Sequence, residues 1–209
     1  MKMIAVNGSP RKNQNTHILL NKAIEGAQSA GAETELVHLY DLDYKGCTSC
    51  LACKVRGGKS LGRCVYNDGL KPVLDRIDQA DGLILGSPIY FGDVSAMMRA
   101  FWERLLFQYL SYDDYTKPYY TGNMKAAWIY TMNVSAGYMD DLYKKYENTL
   151  KLAFQYAGML ESSETLQVDD YSKYHMGAFN EAQRKERREK VFPEDCRKAY
   201  ALGRSMVNG

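Results

Sequence analysis

The stretch Met3-Ile4-Ala5-Val6-Asn7-Gly8-Ser9-Pro10 decides the fold, because a short apolar strand pattern stops there at a glycine- and proline-containing loop. A helical pattern of apolar residues follows from Asn15 to about Ala30, and Gly31 ends it as a C-cap residue would. Residues Glu33 to Leu39 then alternate polar and apolar side chains. The amino-terminal part is therefore predicted to form strand, loop, helix and strand.

The same alternation continues to the end of the chain. We expect a helix from Asp68 to Asp81, a buried strand at Gly82–Gly86 that Ser87-Pro88 terminates, and an amphipathic helix that includes Met97 to Leu106. After a tyrosine-rich loop, the pattern predicts a strand at 126–132, a helix at 140–157, a strand near 164–168 and two terminal helices separated by Phe192-Pro193.

Strands that alternate with helices predict βαβ units and a parallel sheet covered on both faces. We expect an α/β fold with a doubly wound, flavodoxin-like, five-stranded parallel sheet in the order 2-1-3-4-5. Residues 1–209 are expected to form one domain, with a cysteine-containing loop inserted at 44–67. In such sheets a ligand binds beyond the carboxyl ends of the strands, so the loops after strands 1, 3 and 4 are the ones to inspect.

Composition narrows the classes of function. A net charge of +2, from 27 basic and 25 acidic residues, gives no field that would indicate binding to nucleic acid or a membrane. The chain starts directly with a strand pattern and has no run of about 18 apolar residues, so secretion and membrane spanning are not expected. Five cysteines, four of them clustered, fit a cytoplasmic protein better than a secreted disulfide framework.

The first loop, Gly8 to Thr16, has the chemistry of a phosphate site. A helix amino terminus offers unpaired N–H groups and a partial positive charge, and the loop adds polar donors from Ser9, Arg11, Asn15 and Thr16. Neither Gly-x-x-x-x-Gly-Lys-Ser/Thr nor Gly-x-Gly-x-x-Gly is present, which favours a monophosphate over a nucleoside triphosphate or a dinucleotide. The alternative is that Ser9 and Asn15 simply cap the helix.

Two further loops follow strands at the same predicted edge. Ser87-Pro88-Ile89-Tyr90-Phe91-Gly92 offers flat apolar side chains and backbone amides, as a flat ring with a polar edge requires. After strand 4, Thr131 and Asn133 are placed to reach such a ring or hydroxyl groups attached to it, and Gly137 permits close backbone approach. The alternative for Tyr90 and Phe91 is ordinary core or surface packing.

These motifs resemble those of the NADPH-dependent FMN reductase and iron-sulfur flavoprotein group. The resemblance depends on Gly8-Ser9-Pro10-Arg11 with Asn15-Thr16, and on Gly86-Ser87-Pro88-Ile89-Tyr90-Phe91-Gly92 leading into a helix with Phe101 and Arg104. It implies that FMN is the cofactor, that Ser9, Arg11, Asn15 and Thr16 hold its phosphate, and that the protein is a homodimer or homotetramer. Gln14 departs from the family pattern, which usually has a small hydroxyl residue there.

The cysteine segment carries a second pattern, Cys47-x-x-Cys50-x-x-Cys53 followed after ten residues by Cys64. Tight early spacing with a later fourth cysteine resembles the compact [4Fe-4S] motif of iron-sulfur flavoproteins, although the last gap is longer than usual. Free thiols or a disulfide, and a zinc site, are the alternatives. Cys196 is expected to be a packed free thiol.

The leading functional hypothesis is an FMN-dependent oxidoreductase that passes electrons from NAD(P)H to a quinone, flavin or other acceptor. No protein acid or base is required, so no catalytic residue is assigned. The alternatives are an electron carrier with a cysteine-bound [4Fe-4S] cluster and a flavin-free regulatory or binding module. Five tyrosines between residues 109 and 120 are expected to cover a subunit interface beside the flavin, or to pack on one another.

Overall fold

The computed structural model describes residues 1–208. The predicted α/β fold is confirmed. Its strands are β1 (Lys2–Asn7), β2 (Glu33–His38), β3 (Gly82–Tyr90), β4 (Asp93–Val94), β5 (Lys125–Thr131) and β6 (Gln155–Ser162). Its helices are α1 (Asn15–Ser29), α2 (Lys71–Ile77), α3 (Ala96–Tyr109), α4 (Asp140–Leu150), α5 (Glu181–Lys190) and α6 (Phe192–Asn208).

Five strands form the predicted parallel sheet in the order β2-β1-β3-β5-β6, and the two-residue β4 pairs antiparallel with the end of β3 as a sixth strand. Side chains alternate between two cores, because successive residues of a strand point to opposite faces. Ile4 and Val6 pack with α2, α3 and α4, whereas Met3 and Ala5 pack with α1 and α6. The sheet is therefore covered on both faces.

Strand β3 continues past Ser87-Pro88 to Tyr90, so the expected termination at that dipeptide is wrong. The missing N–H of Pro88 is tolerated because β1 has already ended, its last residue Asn7 lying opposite Gly86. Phe91 and Gly92 then turn the chain into β4 with φ of 51° and 80°. Two residues with positive φ are typical of a tight hairpin turn of type I′.

The last strand was also misplaced. Helix α4 ends at Leu150 and β6 occupies Gln155–Ser162, not 164–168. Leu150, the last residue of α4, and Phe154 have helical spacing and both pack into the core, but the chain turns between them toward the β5 edge. Because β6 is an edge strand with several half-exposed residues, its apolar alternation is weak, and the predicted helix of 140–157 extends into its first residues.

Helices α1 and α6 approach closely at two glycines. A Cβ atom on Gly26 would lie 2.0 Å from the carbonyl oxygen of Tyr200, and one on Gly203 would lie 1.9 Å from that of Ala23. The two terminal helices separate at Val191, close to the predicted position, and Pro193 falls in the first turn of α6. This contact holds α1 against the sheet and positions its amino terminus.

Candidate functional site

A cleft of about 150 Å³ lies at the carboxyl edge of the sheet. It is lined by nine of the twelve residues that the sequence predicted for a flavin, which come from three separate loops: Ser9, Arg11, Asn15, Thr16, Pro88, Ile89, Tyr90, Thr131 and Asn133. Phe91, Gly92 and Gly137 do not line it. The topology therefore brings the three loops together as the parallel sheet requires.

The first loop is held by a buried asparagine. The Oδ1 atom of Asn7 accepts a hydrogen bond from the Ser9 N–H at 2.9 Å, and its Nδ2 atom donates to Nδ1 of His38 at 3.1 Å. Ser9 Oγ in turn accepts from the Arg11 N–H at 3.1 Å. The loop conformation is therefore set by neighbouring strands, and sequence reasoning missed Asn7 and His38 because their contact joins β1 to β2.

The amino termini of α1 and α3 both face this edge, but only α3 has a side-chain cap. Ser95 caps α3, since its Oγ accepts from the Met98 N–H and also donates to the Gly8 carbonyl at 2.5 Å. Gln14 occupies the cap position of α1 and makes no side-chain cap hydrogen bond. The first N–H groups of α1 are thus left for another acceptor, and an anion at this end of the helix would be one.

Side chains of the first loop reach across the cleft. The Nη1 atom of Arg11 donates to the Gln167 carbonyl at 2.5 Å, and Nδ2 of Asn15 donates to the Leu166 carbonyl at 2.9 Å. Arg188 of α5 donates to Oδ1 of Asn15 at 2.8 Å. The segment after β6 and helix α5 therefore close one side of the cleft, a role that the sequence did not reveal because they lie far along the chain.

The second loop contributes the hairpin between β3 and β4. Tyr90 is 45% exposed, and burial of its hydroxyl side raises its pKa. Phe91 is fully exposed and has positive φ, which is unusual for an aromatic residue. Phe91 and Gly92 therefore lie at the hairpin tip beside the cleft, outside its lining.

The third loop contributes an unpaired amide. Thr131 and Thr16 share a hydrogen bond of 2.7 Å between their Oγ1 atoms. Asn133 lines the cleft, and its buried Oδ1 and Nδ2 atoms have no partner within residues 1–208, whereas its carbonyl accepts from Arg184 at 3.0 Å. Gly137 lies apart, and its N–H is directed at the Glu161 carboxylate at 3.3 Å. A buried amide of this kind requires a polar partner, such as water or a ligand.

The four predicted metal ligands also come together. Cys47, Cys50, Cys53 and Cys64 line one narrow cavity against the carboxyl-terminal half of α3. Cys53 is buried, and burial raises the pKa of its thiol although Lys54 opposes the shift. Ser49 and Leu51, on either side of Cys50, have φ of 54° and 58°. Left-handed conformations at two non-glycine residues mark a strained loop.

Helix α3 provides the other wall of this cavity through Arg104 and Gln108. Arg104 is 2% exposed, and its Nη1 atom donates to Asp68 at 2.6 Å. Burial lowers the pKa of Arg104, but the hydrogen bond to Asp68 and the nearness of Cys64 outweigh it, so the pKa is raised. Lys54 fixes the cysteine segment to the end of α3, with hydrogen bonds to the carbonyls of Gln108 at 3.2 Å and Leu110 at 2.6 Å.

The cavity does not fit a single metal ion. Among residues 1–208, no three His, Cys, Asp or Glu side chains are grouped so that they could hold one. A zinc ion would need four ligands that converge on one point, so these residues do not fit zinc. All five cysteines are free thiols in the structure. In an iron-sulfur cluster each thiolate binds its own iron, so the four ligands lie further apart than around a single ion. Whether the cavity suits such a cluster depends on the hydrogen-bond donors that it offers to the sulfurs.

A larger groove of about 490 Å³ lies between α3 and α4. It borders Cys47 and Ser49 and shares no residue with the flavin cleft. The tyrosine segment forms part of its wall, at the end of α3 remote from the cleft. Tyr109 and Tyr120 pack on Phe154, so this half of the segment packs within the chain, whereas Tyr115 is 60% exposed. In the described part of the chain, none of the helices has the length and apolarity to span a membrane.

Known proteins show the same fold. Solved structures of an NADH:FMN oxidoreductase and of an NAD(P)H:quinone oxidoreductase from Methanothermobacter marburgensis superpose with TM-scores of 0.59 and 0.67. The alignment with the first structure is 19% identical and covers 98% of this chain and 88% of the matched chain. The alignment with the second is 13% identical and covers 99% of this chain and 96% of the matched chain. At these identities the likeness concerns the fold alone, and it confirms the flavodoxin-like class.

Curated relatives are more similar in sequence over a shorter span. An iron-sulfur flavoprotein of Methanocaldococcus jannaschii is 38% identical over 104 residues, which is 50% of this chain and 51% of the relative. An iron-sulfur flavoprotein of Methanosarcina thermophila is 32% identical over 104 residues, 50% of this chain and 52% of the relative. The chain thus spans about half the length of the curated relatives that it matches.

The family assignment comes from a longer match. Residues 1–173 match the family described as NADPH-dependent FMN reductase, a span that includes all three loops of the cleft and the four clustered cysteines. The chain therefore belongs to the NADPH-dependent FMN reductase family, as the phosphate-loop and hairpin motifs had indicated.

Proposed function

We propose that the protein is an FMN-dependent oxidoreductase that takes electrons from NAD(P)H and passes them to a quinone, a flavin or another acceptor. The observation that carries this proposal is the uncapped amino terminus of α1 in the same cleft as the unpaired amide of Asn133. One offers donors to an anion and the other offers both a donor and an acceptor to a polar ring edge. FMN has a phosphate and such an edge in one molecule.

The first loop would hold the phosphate. The N–H groups at the start of α1 and the hydroxyls of Ser9 and Thr16 supply neutral donors, and Arg11 supplies a charged one. Arg11 and Asn15 now donate to the carbonyls of Gln167 and Leu166. A phosphate oxygen is a stronger acceptor than a carbonyl for a guanidinium, so Arg11 would exchange one partner for the other when FMN binds.

The second and third loops would hold the ring. Pro88, Ile89 and Tyr90 give it an apolar wall, while Thr131 and the Asn133 amide face its polar edge. Phe91, Gly92 and Gly137 would act from the rim, Phe91 as an exposed aromatic cover. When bound, FMN supplies the redox chemistry itself, so the protein's part is to bind, orient and tune it. No side chain needs to act as an acid or base.

The test is anaerobic reconstitution with FMN, followed by titration with NADH and with NADPH in the absence and presence of a quinone. We expect stoichiometric FMN binding, bleaching of the flavin absorption by a reduced nicotinamide, and recovery when the quinone is added. Asn133→Ala should weaken FMN binding about tenfold, the effect of one lost hydrogen bond in a buried site. Asn148→Ala, an exposed asparagine on α4, is the matched control.

Absence of FMN binding would contradict the proposal and favour the flavin-free module. FMN binding without bleaching by either nicotinamide would instead identify an electron carrier that is reduced by another donor. The homo-oligomer, the single domain over residues 1–209 and the cytoplasmic setting remain predictions, which size determination of the reconstituted protein, limited proteolysis and cell fractionation would test.

A second candidate is supported by the cysteine cavity. We propose that Cys47, Cys50, Cys53 and Cys64 hold a [4Fe-4S] cluster and that the protein relays electrons between the flavin and a further partner. All four line one cavity, and relatives that match half of the chain are named iron-sulfur flavoproteins. Reconstitution with ferrous iron and sulfide should give about four irons per chain. Iron-free protein after this treatment would contradict the cluster and leave the cysteines as thiols or a disulfide.

A further inference from the structure

Two residues that line the cavity of the four cysteines carry buried hydrogen-bond donors that have no acceptor. The Nε atom of Arg104 and the Nε2 atom of Gln108 are buried and unpartnered among residues 1–208. Both residues are almost completely buried, Arg104 at 2% and Gln108 at 3% exposure. They stand four residues apart on α3, so they occupy one face of the helix, and both line the cysteine cavity.

Every other polar atom of these two side chains is used. Arg104 donates through Nη1 to Asp68 at 2.6 Å and to the Lys45 carbonyl at 3.2 Å, and through Nη2 to the Tyr66 carbonyl at 3.1 Å. Gln108 accepts through Oε1 from the Cys64 N–H at 2.8 Å. These bonds fix the orientation of both groups. The Nε–H of Arg104 and the two N–H groups on Nε2 of Gln108 are therefore held in place without a hydrogen-bond acceptor among residues 1–208.

A buried N–H without a partner costs about 1 to 3 kcal/mol, so a native protein seldom keeps two in one place. The acceptors that line this cavity include the four cysteine sulfurs. A neutral thiol is a weak acceptor, whereas a thiolate or a bridging sulfide is a strong one. The pair is thus suited to an anionic sulfur group that is bound in the cavity.

We propose that Arg104 and Gln108 donate N–H···S hydrogen bonds to the thiolate-held iron-sulfur cluster and raise its reduction potential. This inference rests on the proposed cluster. Reduction adds an electron to a buried anion, and donors aimed at its sulfurs stabilise the reduced form more than the oxidised one. Arg104 and Gln108 are positioning residues, because the electron resides on the cluster and the four cysteines hold the iron.

The experiment is a spectroelectrochemical titration of the protein reconstituted with FMN, ferrous iron and sulfide. Gln108→Met removes the amide donor at similar length and without a change of charge. Arg104→Lys keeps the charge that pairs with Asp68 and removes the Nε donor. Each variant should keep four irons per chain and shift the equilibrium about tenfold toward the oxidised cluster, which is a fall of about 59 mV for one electron. Arg99→Lys, on the same helix but outside the cavity, is the control.

The possible outcomes separate the two proposals. Wild-type protein that takes up no iron would overturn the cluster and this inference together. Iron uptake with the same cluster potential in wild type, Gln108→Met and Arg104→Lys would overturn this inference alone. If one variant fails to fold, which loss of FMN binding would reveal, the other still decides. A fall in potential equal to that of Arg99→Lys would also contradict a specific role for the two donors.

Discussion

The flavin cleft and the cysteine cavity are built in opposite ways around one helix. Ser95, at the amino end of α3, bonds to Gly8 of the first loop, and Gln108, near its carboxyl end, bonds to Cys64 of the cavity. The thirteen steps between them correspond to about 20 Å of helix. The cleft collects loops that are far apart in sequence, whereas one continuous segment and one helix face form the cavity.

This difference teaches that the two sites can be altered separately. The cleft depends on the sheet, since its three loops meet only when the parallel strands are in register. The cavity depends on the segment 44–67 and on its attachment to α3 by Lys54, Arg104 and Gln108. Disruption of one site should leave the other intact, and the following experiments test that expectation.

The largest expected effect is on the iron content of the reconstituted protein. Cys53→Ser removes the most buried thiol of the cavity, so reconstituted protein should lose nearly all its iron while FMN affinity stays within twofold of wild type. Cys196→Ser, a cysteine of α6 outside the cavity, should retain iron. Iron and FMN are measured on the same sample. Loss of FMN together with iron would show that the sites are coupled.

The next largest effect is expected when the cleft is altered and the cavity is left intact. Ser9→Ala combined with Arg11→Ala removes a neutral and a charged donor from the cleft and should weaken FMN binding about 100-fold, which corresponds to about 2.7 kcal/mol. Lys12→Ala is the control, because Lys12 pairs with Asp41 and does not line the cleft. Quenching of FMN fluorescence gives the affinity. Unchanged iron content in the double variant would confirm the independence of the cavity.

A third experiment acts on the support of the cleft. Gly203→Ala places a Cβ atom 1.9 Å from the Ala23 carbonyl oxygen and must push α6 away from α1. We expect a loss of about 1 to 3 kcal/mol in the free energy of unfolding, measured by urea denaturation. Gly177→Ala, where nothing lies within 4 Å, should change it little. Equal stability of the two variants would mean that the helices can separate without cost.

The smallest expected effect is the dependence of folding stability and FMN affinity on pH. His38 accepts from Asn7 only when it is neutral, and it stacks on His17 with ring centroids 5.3 Å apart. Burial lowers the pKa of both histidines below the ordinary 6.5. The charge of His38 lowers the pKa of His17 further. Asp41 raises the pKa of His38 and Lys12 lowers it, so these two effects oppose each other. As the pH falls below 6.5, the unfolded chain binds protons first, so folding stability should decline. Protonated His38 cannot accept from Asn7, which holds the first loop at Ser9, so FMN affinity should decline as well.

His38→Gln keeps an acceptor for Asn7 but cannot titrate, so it should flatten this decline between pH 7 and pH 5. The measurements are urea denaturation and FMN titration at each pH. An equally steep decline in His38→Gln and wild type would assign the effect to His17 or to other groups.

The sequence predicted the amino-terminal part of the fold better than the part that follows β5. The strand, loop and helix of residues 3–30 were predicted because apolar runs, Gly8 and Pro10 report local conformation directly. The strand β6 was misplaced because its edge position leaves little apolar alternation. The contributions of Gln167 and Arg188 to the cleft could not be predicted, since they depend on where the chain returns after β6.

The sequence by itself determined the order of strands and helices, the two loop motifs of the cleft and the spacing of the cysteines. Periodicity and turn residues act over a few neighbours, so they can be read locally. Only the tertiary structure decided that Asn133 would be left unpaired, that α1 would remain uncapped and that Arg104 and Gln108 would face the cysteines. Whether a buried donor finds an acceptor depends on atoms that packing brings from elsewhere in the chain.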